Sequence, residues 1–378
     1  RKYLSTRIYI VIILLLQRIS VIGSPGDSLL FERDIPGSWG IEGRLTYGFI
    51  IAHREALMPL QQQHLSSAEV SVFKTTNGSR TWESEFLLPE KGIHLSFIQP
   101  GSPDKLGNAI ALYPYLDFPL YQKDDGFFLL RYGMGLGYIQ HVFDPENNYT
   151  NVAIGSHFNG VIHIGISFRK KLSAQSNFTI GAGLTHFSNG SFKMPNLGIN
   201  LPALSIGINK YFGQPEKMKT TKKLSPRMHG TISTFIAGGT KEIYPNLGPR
   251  YFSTTLSSTY FFPAKHKSDL GLGLDFFYDN SLSIKNSREN GDSSRSANFR
   301  PGIHGSYQLK VASIGVLFDM GFYPYTEYKG DGLFYHRIGL RYYFKDLYAC
   351  INLKTHYARA DFIEWGIGWN FNLKKSAK

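Results

Sequence analysis

The chain has 378 residues, enough for one large domain or two smaller ones. Aromatic residues make up 15% and charged residues 18%, with 39 Gly and a single cysteine. An intramolecular disulfide framework is therefore excluded, and many short strands with aromatic girdles fit better than a helical enzyme. The formal charge of +13 comes with no nucleic-acid-binding motif, and the basic residues are scattered or gathered in stretches such as KMKTTKK; an anionic lipid surface is favoured over nucleic acid.

At the N-terminus, Arg1, Lys2 and Arg7 precede the apolar run from Ile8 to Leu16, with Gly23 and Ser24 beyond it. Residues 1–23 read as a signal peptide, because the run is too short to span a bilayer. Residues 24–43, with Pro25 and Pro36, read as a periplasmic lead-in. No other apolar run reaches the ~18 residues of a spanning helix, so a membrane location requires a closed barrel. Strands rich in β-branched, aromatic and Gly residues are expected at roughly 44–53, 65–75, 92–99, 108–119, 127–139, 152–169, 177–188 and 201–212. The region 76–91 is either an overlong turn or an extra strand pair. Residues 213–226 are polar, basic and Pro-bounded, and read as a linker. A second series follows at roughly 227–238, 250–262, 268–279, 299–310, 312–325, 333–344, 347–357 and 360–371, interrupted by a polar segment, 283–298, too poor in apolar residues to pack. The fold class is thus all-β, an antiparallel transmembrane β-barrel. Two tandem eight-stranded barrels, 44–212 and 227–378, are favoured over one sixteen-stranded barrel, because the linker is long for a periplasmic turn.

Parity gives direction to the side chains. In 127–139, Phe128, Leu130, Tyr132, Met134, Leu136 and Tyr138 share one face, and Arg131 with three Gly shares the other. An apolar face opposed to a small or charged one is the outward/inward code of a small filled barrel. In 177–188, Phe178, Ile180, Ala182 and Leu184 fall on the outward face, and His186 and Ser188 continue it. Alternating strands place that pair near the extracellular end. Asn200, on the outward parity of the returning strand, is expected opposite or beside His186. From spacing alone, a His and a Ser at a strand end are ordinary interfacial residues.

The stretch THFSNGSFKMPNLGIN resembles the signature of the outer-membrane lipid A 3-O-deacylases, the PagL-like family, related to acyloxyacyl hydrolases. The pattern is His-x-Ser-Asn, then Pro-Asn-x-Gly, then a strand ending in an aromatic, here His186, Ser188, Asn189, Pro195, Asn196, Gly198 and Phe212. The resemblance covers about 44–212. It implies a serine esterase in a Gram-negative outer membrane that removes an ester-linked acyl chain from lipid A. Ser188 would be the nucleophile, His186 the base and Asn200 the third member, with Asn189 or Gly190 steadying the oxyanion. The family's Glu is replaced by Asn200. An amide can hold a His tautomer but cannot stabilise an imidazolium by charge. The partners implied are lipopolysaccharide and outer-membrane lipids, with no nucleic acid and no cofactor; a homodimer is left open.

The second series differs. His356 and Glu364 are both of lumenal parity and are expected to meet inside the barrel as part of a polar network. No Ser-Asn follows His356. Cys350 reads as a wall residue, since no helix start or basic cluster would lower its pKa. His157, His163, His266 and Asp275 lack metal-ligand spacing. The glycosylation triplets at Asn148 and Asn177 are accidental matches in a bacterial-type barrel. The competing functions are a non-catalytic barrel, structural or lipid-binding, that retains the scaffold, and a sixteen-stranded porin, against which the many inward Gly argue.

Overall fold

The computed structural model describes residues 37–123, 125–214, 229–244, 248–263, 267–292, 294–357 and 359–373. The signal peptide assignment and nearly all of the linker lie outside these residues. Two closed eight-stranded barrels are formed, each by consecutive antiparallel strands. The first comprises β1 (Trp39–Gly48), β2 (Leu65–Lys74), β3 (Glu90–Gln99), β4 (Ala109–Lys123), β5 (Gly126–Ile139), β6 (Phe158–Lys171), β7 (Ser176–Ser188) and β8 (Ile199–Phe212). The second comprises β9 (Thr231–Lys241), β10 (Tyr251–Phe261), β11 (Ser268–Asp279), β12 (Phe299–Val311), β13 (Ile314–Phe322), β14 (Phe334–Phe344), β15 (Leu347–His356) and β16 (Arg359–Asn372). The sixteen-stranded alternative is excluded by closure: β8 returns to β1, with Phe212 opposite Trp39, and β16 returns to β9.

Alternation decides which side chains meet lipid. In the first barrel Leu45, Leu136, Leu204 and Ile208 are exposed on the outer wall. Glu42, Arg44, Glu90, Asp117, Arg131 and Arg169 are buried within. Patches of exposed apolar surface on this scale are unfavourable in water but form the lipid-facing band of a barrel. Trp39 stacks on Phe212 at one rim with ring centroids 4.5 Å apart, and Tyr138 meets Phe158 at the other, as interfacial aromatic girdles do. The lumen is filled by charge-assisted hydrogen bonds. Arg131 donates to both Asp117 oxygens at 2.7 Å and to Glu42 at 2.8 Å, and Arg169 donates to Glu90 at 2.6 Å and Asp117 at 3.0 Å. Arg44, Arg131 and Arg169 thus face three carboxylates, and this ionic network stands beside an apolar cluster that includes Phe73, Ile98, Ile139 and Phe187.

Several boundaries differ from the sequence reading. β1 begins at Trp39, inside the stretch assigned to the lead-in, and ends at Gly48, although Phe49 and Ile51 still donate their N–H groups to Pro202 and Asn200. Residues 152–157 leave the strand expected there. Ala153 and Ile154 are buried in the loop, and the Asn151 amide donates to the carbonyls of Lys105 and His141. The 76–91 region is a turn holding a short helix, α1 (Thr81–Glu85), not a strand pair. The 283–298 segment, expected to be unpacked, folds as α2 (Ser281–Asn290) and a 3-10 turn, Arg295–Asn298. Polar groups do there what apolar area does elsewhere. Asp279 Oδ1 accepts from the N–H and hydroxyl of Ser281, Asn298 Oδ1 accepts from Ser283 N, and Gly291 ends the helix at φ 74°. Leu282 and Ala297 are buried beneath.

In the first barrel the connection 75–89, the turn between β4 and β5, and 172–175 lie at one end, and 49–64, 100–108, 140–157 and 189–198 at the other. Short periplasmic turns and longer extracellular loops are the usual polarity of outer-membrane barrels. The loop after β7 lies at the end that carries most of the longer connections.

Candidate active site

The site is built on the hairpin β7–β8. Thr179 and Phe187 are buried in the lumen, and Phe178 and Ile180 are exposed on the wall. A strand repeats every two residues, so His186 and Ser188 project outward on the same face as Phe178. Inward, the strand is kept small. A Cβ on Gly183 would lie 2.9 Å from His163 Cε1, and Thr185 Oγ1 is 2.9 Å from His163 Nδ1. The imidazole that fills the lumen here is thus His163, while His186 points the other way.

Register places Asn200 directly opposite His186. The two side chains meet, with His186 Nδ1 2.8 Å from Asn200 Oδ1. An amide oxygen only accepts, so Nδ1 carries the proton and Nε2 keeps its lone pair. Ser188 Oγ accepts a hydrogen bond from Asn196 Nδ2 at 2.9 Å and lies 3.2 Å from Asn196 Oδ1. That oxygen also accepts from the Asn189 backbone N–H at 3.1 Å. Asn196 therefore ties the nucleophile candidate to the residue after it. It stood in the sequence motif, but no role was assigned to it; a contact between positions eight apart across a loop leaves no periodic signal.

Asn189 was expected at the oxyanion, and its side chain is occupied otherwise. It is buried, and Nδ2 donates to Ser156 Oγ and to the Lys193 carbonyl, both at 2.8 Å. It braces the loop against the 140–157 segment. Gly190 takes φ 62°, in the left-handed region that favours glycine. Gly198 is required more strictly. Its φ is 75°, and a Cβ there would lie 2.7 Å from His186 Cε1. Gly198→Ala is expected to tilt the imidazole and lower kcat by about 10²-fold, the scale of a ~1 Å misplacement, with the heat-modifiable mobility of a folded barrel retained. Unchanged kinetics would show that the ring does not need this packing.

One neighbour had no signal in the sequence. His53, in the loop after β1, has Nδ1 3.1 Å from Asn200 Nδ2. It arrives because Ile51 N donates to the Asn200 carbonyl at 3.0 Å. Burial lowers the pKa of His53, and the Arg54 charge adds to this, while hydrogen bonds from the ring to the backbone carbonyls of Ile51 and Leu197 oppose it.

In the second barrel the expected meeting of His356 and Glu364 does not occur. Both face the lumen, but Glu364 pairs in register with Asn352 and His356 with Arg359, several residues apart along the strands. His356 Nε2 is 2.9 Å from Tyr323 Oη. Glu364 lies 2.9 Å from Arg337 Nε and accepts from Asn352 at 3.0 Å. Cys350 is buried in the lumen beside Phe235 and Tyr348. Among the described residues no group of three or more His, Cys, Asp or Glu side chains is arranged to hold a metal ion.

Residues 48–209 match the family model described as lipid A 3-O-deacylase (PagL), and residues 230–373 match that of the acyloxyacyl hydrolase C-terminal domain. No curated protein matches the chain. Among solved structures, Neisserial surface protein A (NspA) aligns at 10% identity and a TM-score of 0.33, over 46% of this chain and 97% of that one. The outer membrane enzyme PagL aligns at 14% identity and a TM-score of 0.32, over 44% and 97%. The first barrel thus carries a domain of the lipid A 3-O-deacylase (PagL) family, and the second carries the acyloxyacyl hydrolase C-terminal domain.

Proposed function

We propose that the first barrel is an outer-membrane serine esterase that hydrolyses an ester-linked acyl chain of lipid A in the outer leaflet. The observation that carries this reading is the outward placement of His186 and Ser188 on one strand face, with His186 Nδ1 held by Asn200 at 2.8 Å. Ser188 Oγ attacks the ester carbonyl as its proton passes to His186 Nε2. The tetrahedral intermediate collapses, the C–O bond to the sugar breaks, and the departing alkoxide takes that proton. Water then attacks the acyl-serine, again with His186 as base, releasing the fatty acid and restoring the Ser188 hydroxyl. Asn196 Nδ2, beside Oγ, is placed to donate to the oxyanion, a role worth ~10²–10³ in rate. Asn189 and Gly190 support the loop that presents it. No cofactor enters this scheme. An acyl chain already lying along the outer wall needs no pocket reached from water.

The departure at Asn200 favours a second reading, a non-catalytic lipid-binding barrel. Mass spectrometry of lipid A from Gram-negative cells expressing the parent chain or Ser188→Ala separates the two. Loss of one hydroxyacyl mass with the parent alone is expected. Identical lipid A from both, with the chain folded in the outer membrane, would leave only the scaffold.

A further inference from the structure

The third position of the site holds an amide, and an amide has two ends. With Oδ1 toward His186, the His186 proton sits on Nδ1 and Nε2 is free to act as base. Turned over, Nδ2 would donate to His186 Nδ1, the proton would move to Nε2, and the ring could no longer accept from Ser188. A carboxylate has no such choice, because both oxygens only accept. Something outside the pair must therefore set the direction of Asn200. His53 is the neighbour in contact with its other end, with Nδ1 3.1 Å from Asn200 Nδ2.

We infer that His53 is a positioning residue: by accepting from the Asn200 amide it keeps Oδ1 toward His186 and so keeps His186 Nε2 unprotonated for Ser188. This rests on the ester-hydrolysis reading for its consequence, but the geometry of the relay can be read without turnover. The loop is clamped for the purpose by backbone bonds from Phe49 and Ile51 to β8. The titratable and charged groups that act on His53 are Arg54 from its own loop and His186 from β7, and the ring also meets the Asn200 amide and the backbone of Ile51 and Leu197. Protonated His53 presents a donor at Nδ1, which demands Asn200 Oδ1 and turns the amide away from its working direction. Burial favours the neutral ring, so the working direction persists to lower pH than an ordinary imidazole would allow, and is lost as pH falls through the His53 pKa.

The test uses the full chain in detergent micelles with ¹⁵N-labelled histidine. His186 is assigned by its loss in His186→Ala. The parent at neutral pH should show His186 protonated at Nδ1. His53→Phe, which cannot accept, should shift His186 toward the Nε2–H form, and His53→Gln, whose Oε1 accepts, should restore the parent signature. In kinetics, His53→Phe should lower kcat at least about tenfold with KM little changed. His53→Gln should recover most of it and remove one protonation from the acid limb of the pH profile. In an Asn200→Glu background His53→Phe should cost nothing. An unaltered His186 tautomer in His53→Phe overturns the inference whatever the activity. Loss of the tautomer effect with Ser188→Ala still active would instead overturn both the relay and the hydrolysis reading; a retained tautomer effect with Ser188→Ala active would overturn only the latter.

Discussion

His186→Ala should lower kcat/KM for ester hydrolysis by about 10²–10⁴, the contribution of a positioned general base, while KM for a lipid A substrate stays near the parent value. In the proposed mechanism the imidazole acts on the reacting hydroxyl and not on the acyl chains that supply binding, so its removal subtracts from the transition state alone. Ser188→Ala should be at least as severe, and the double variant His186→Ala/Ser188→Ala no worse than Ser188→Ala by itself. Groups that act as one unit are not additive: once the nucleophile is gone, a base has no proton to take. The measurement is initial-rate release of fatty acid in mixed micelles, with the folded fraction fixed by heat-modifiable mobility. Losses that multiply in the double variant would show that the two residues act separately, and the shared-proton mechanism would fall.

Arg337→Met should destabilise the second barrel by about 3–5 kcal/mol, the range for leaving buried charge uncompensated. Arg337 is fully buried and meets three carboxylates, Asp319 at 2.8 Å, Glu364 at 2.9 Å and Asp275 at 3.2 Å. Removing it strands those charges in a lumen that water reaches poorly. Neutralising them together, as Arg337→Met/Asp275→Asn/Asp319→Asn/Glu364→Gln, should recover much of the loss, because the penalty comes from the unpaired charge and not from the missing ion pairs. Trp365 and Trp369 stand on the outer wall of β16. In a Trp39→Phe/Trp82→Phe background their fluorescence follows this barrel alone during guanidinium unfolding in detergent. An unchanged midpoint for the single variant would mean that the lumen solvates its carboxylates without Arg337.

The first prediction traces back to side chains whose direction was legible in the chain. Strand number, strand order and the outward face of His186, Ser188 and Asn200 follow from a period-two alternation that is local, and a one-residue slip would have turned every apolar side chain into the lumen. The lumenal parity of Arg131, Asp275, His356 and Glu364 was readable for the same reason. Which of them touch was not. Glu364 meets Arg337 rather than His356 because register, set by pairing along the whole sheet, offsets the two residues along the barrel axis. The helix α2 was missed because hydrophobic periodicity is silent about a segment whose first amides are held by the side chains of Asp279 and Asn298.

By itself, then, the sequence determined the strands, their inner and outer faces, and the shared parity of His186 and Ser188, since each of these depends on neighbours one or two residues away; that the strands close into two barrels and not one was decided by the pairing of β8 with β1 and of β16 with β9. Only the tertiary structure decided that Asn196 holds Ser188, that Asn189 braces a loop, and that His53 stands behind Asn200. Those contacts join segments brought together by closure of the barrel and by loops that fold back over its rim, and no local pattern encodes the distance between them.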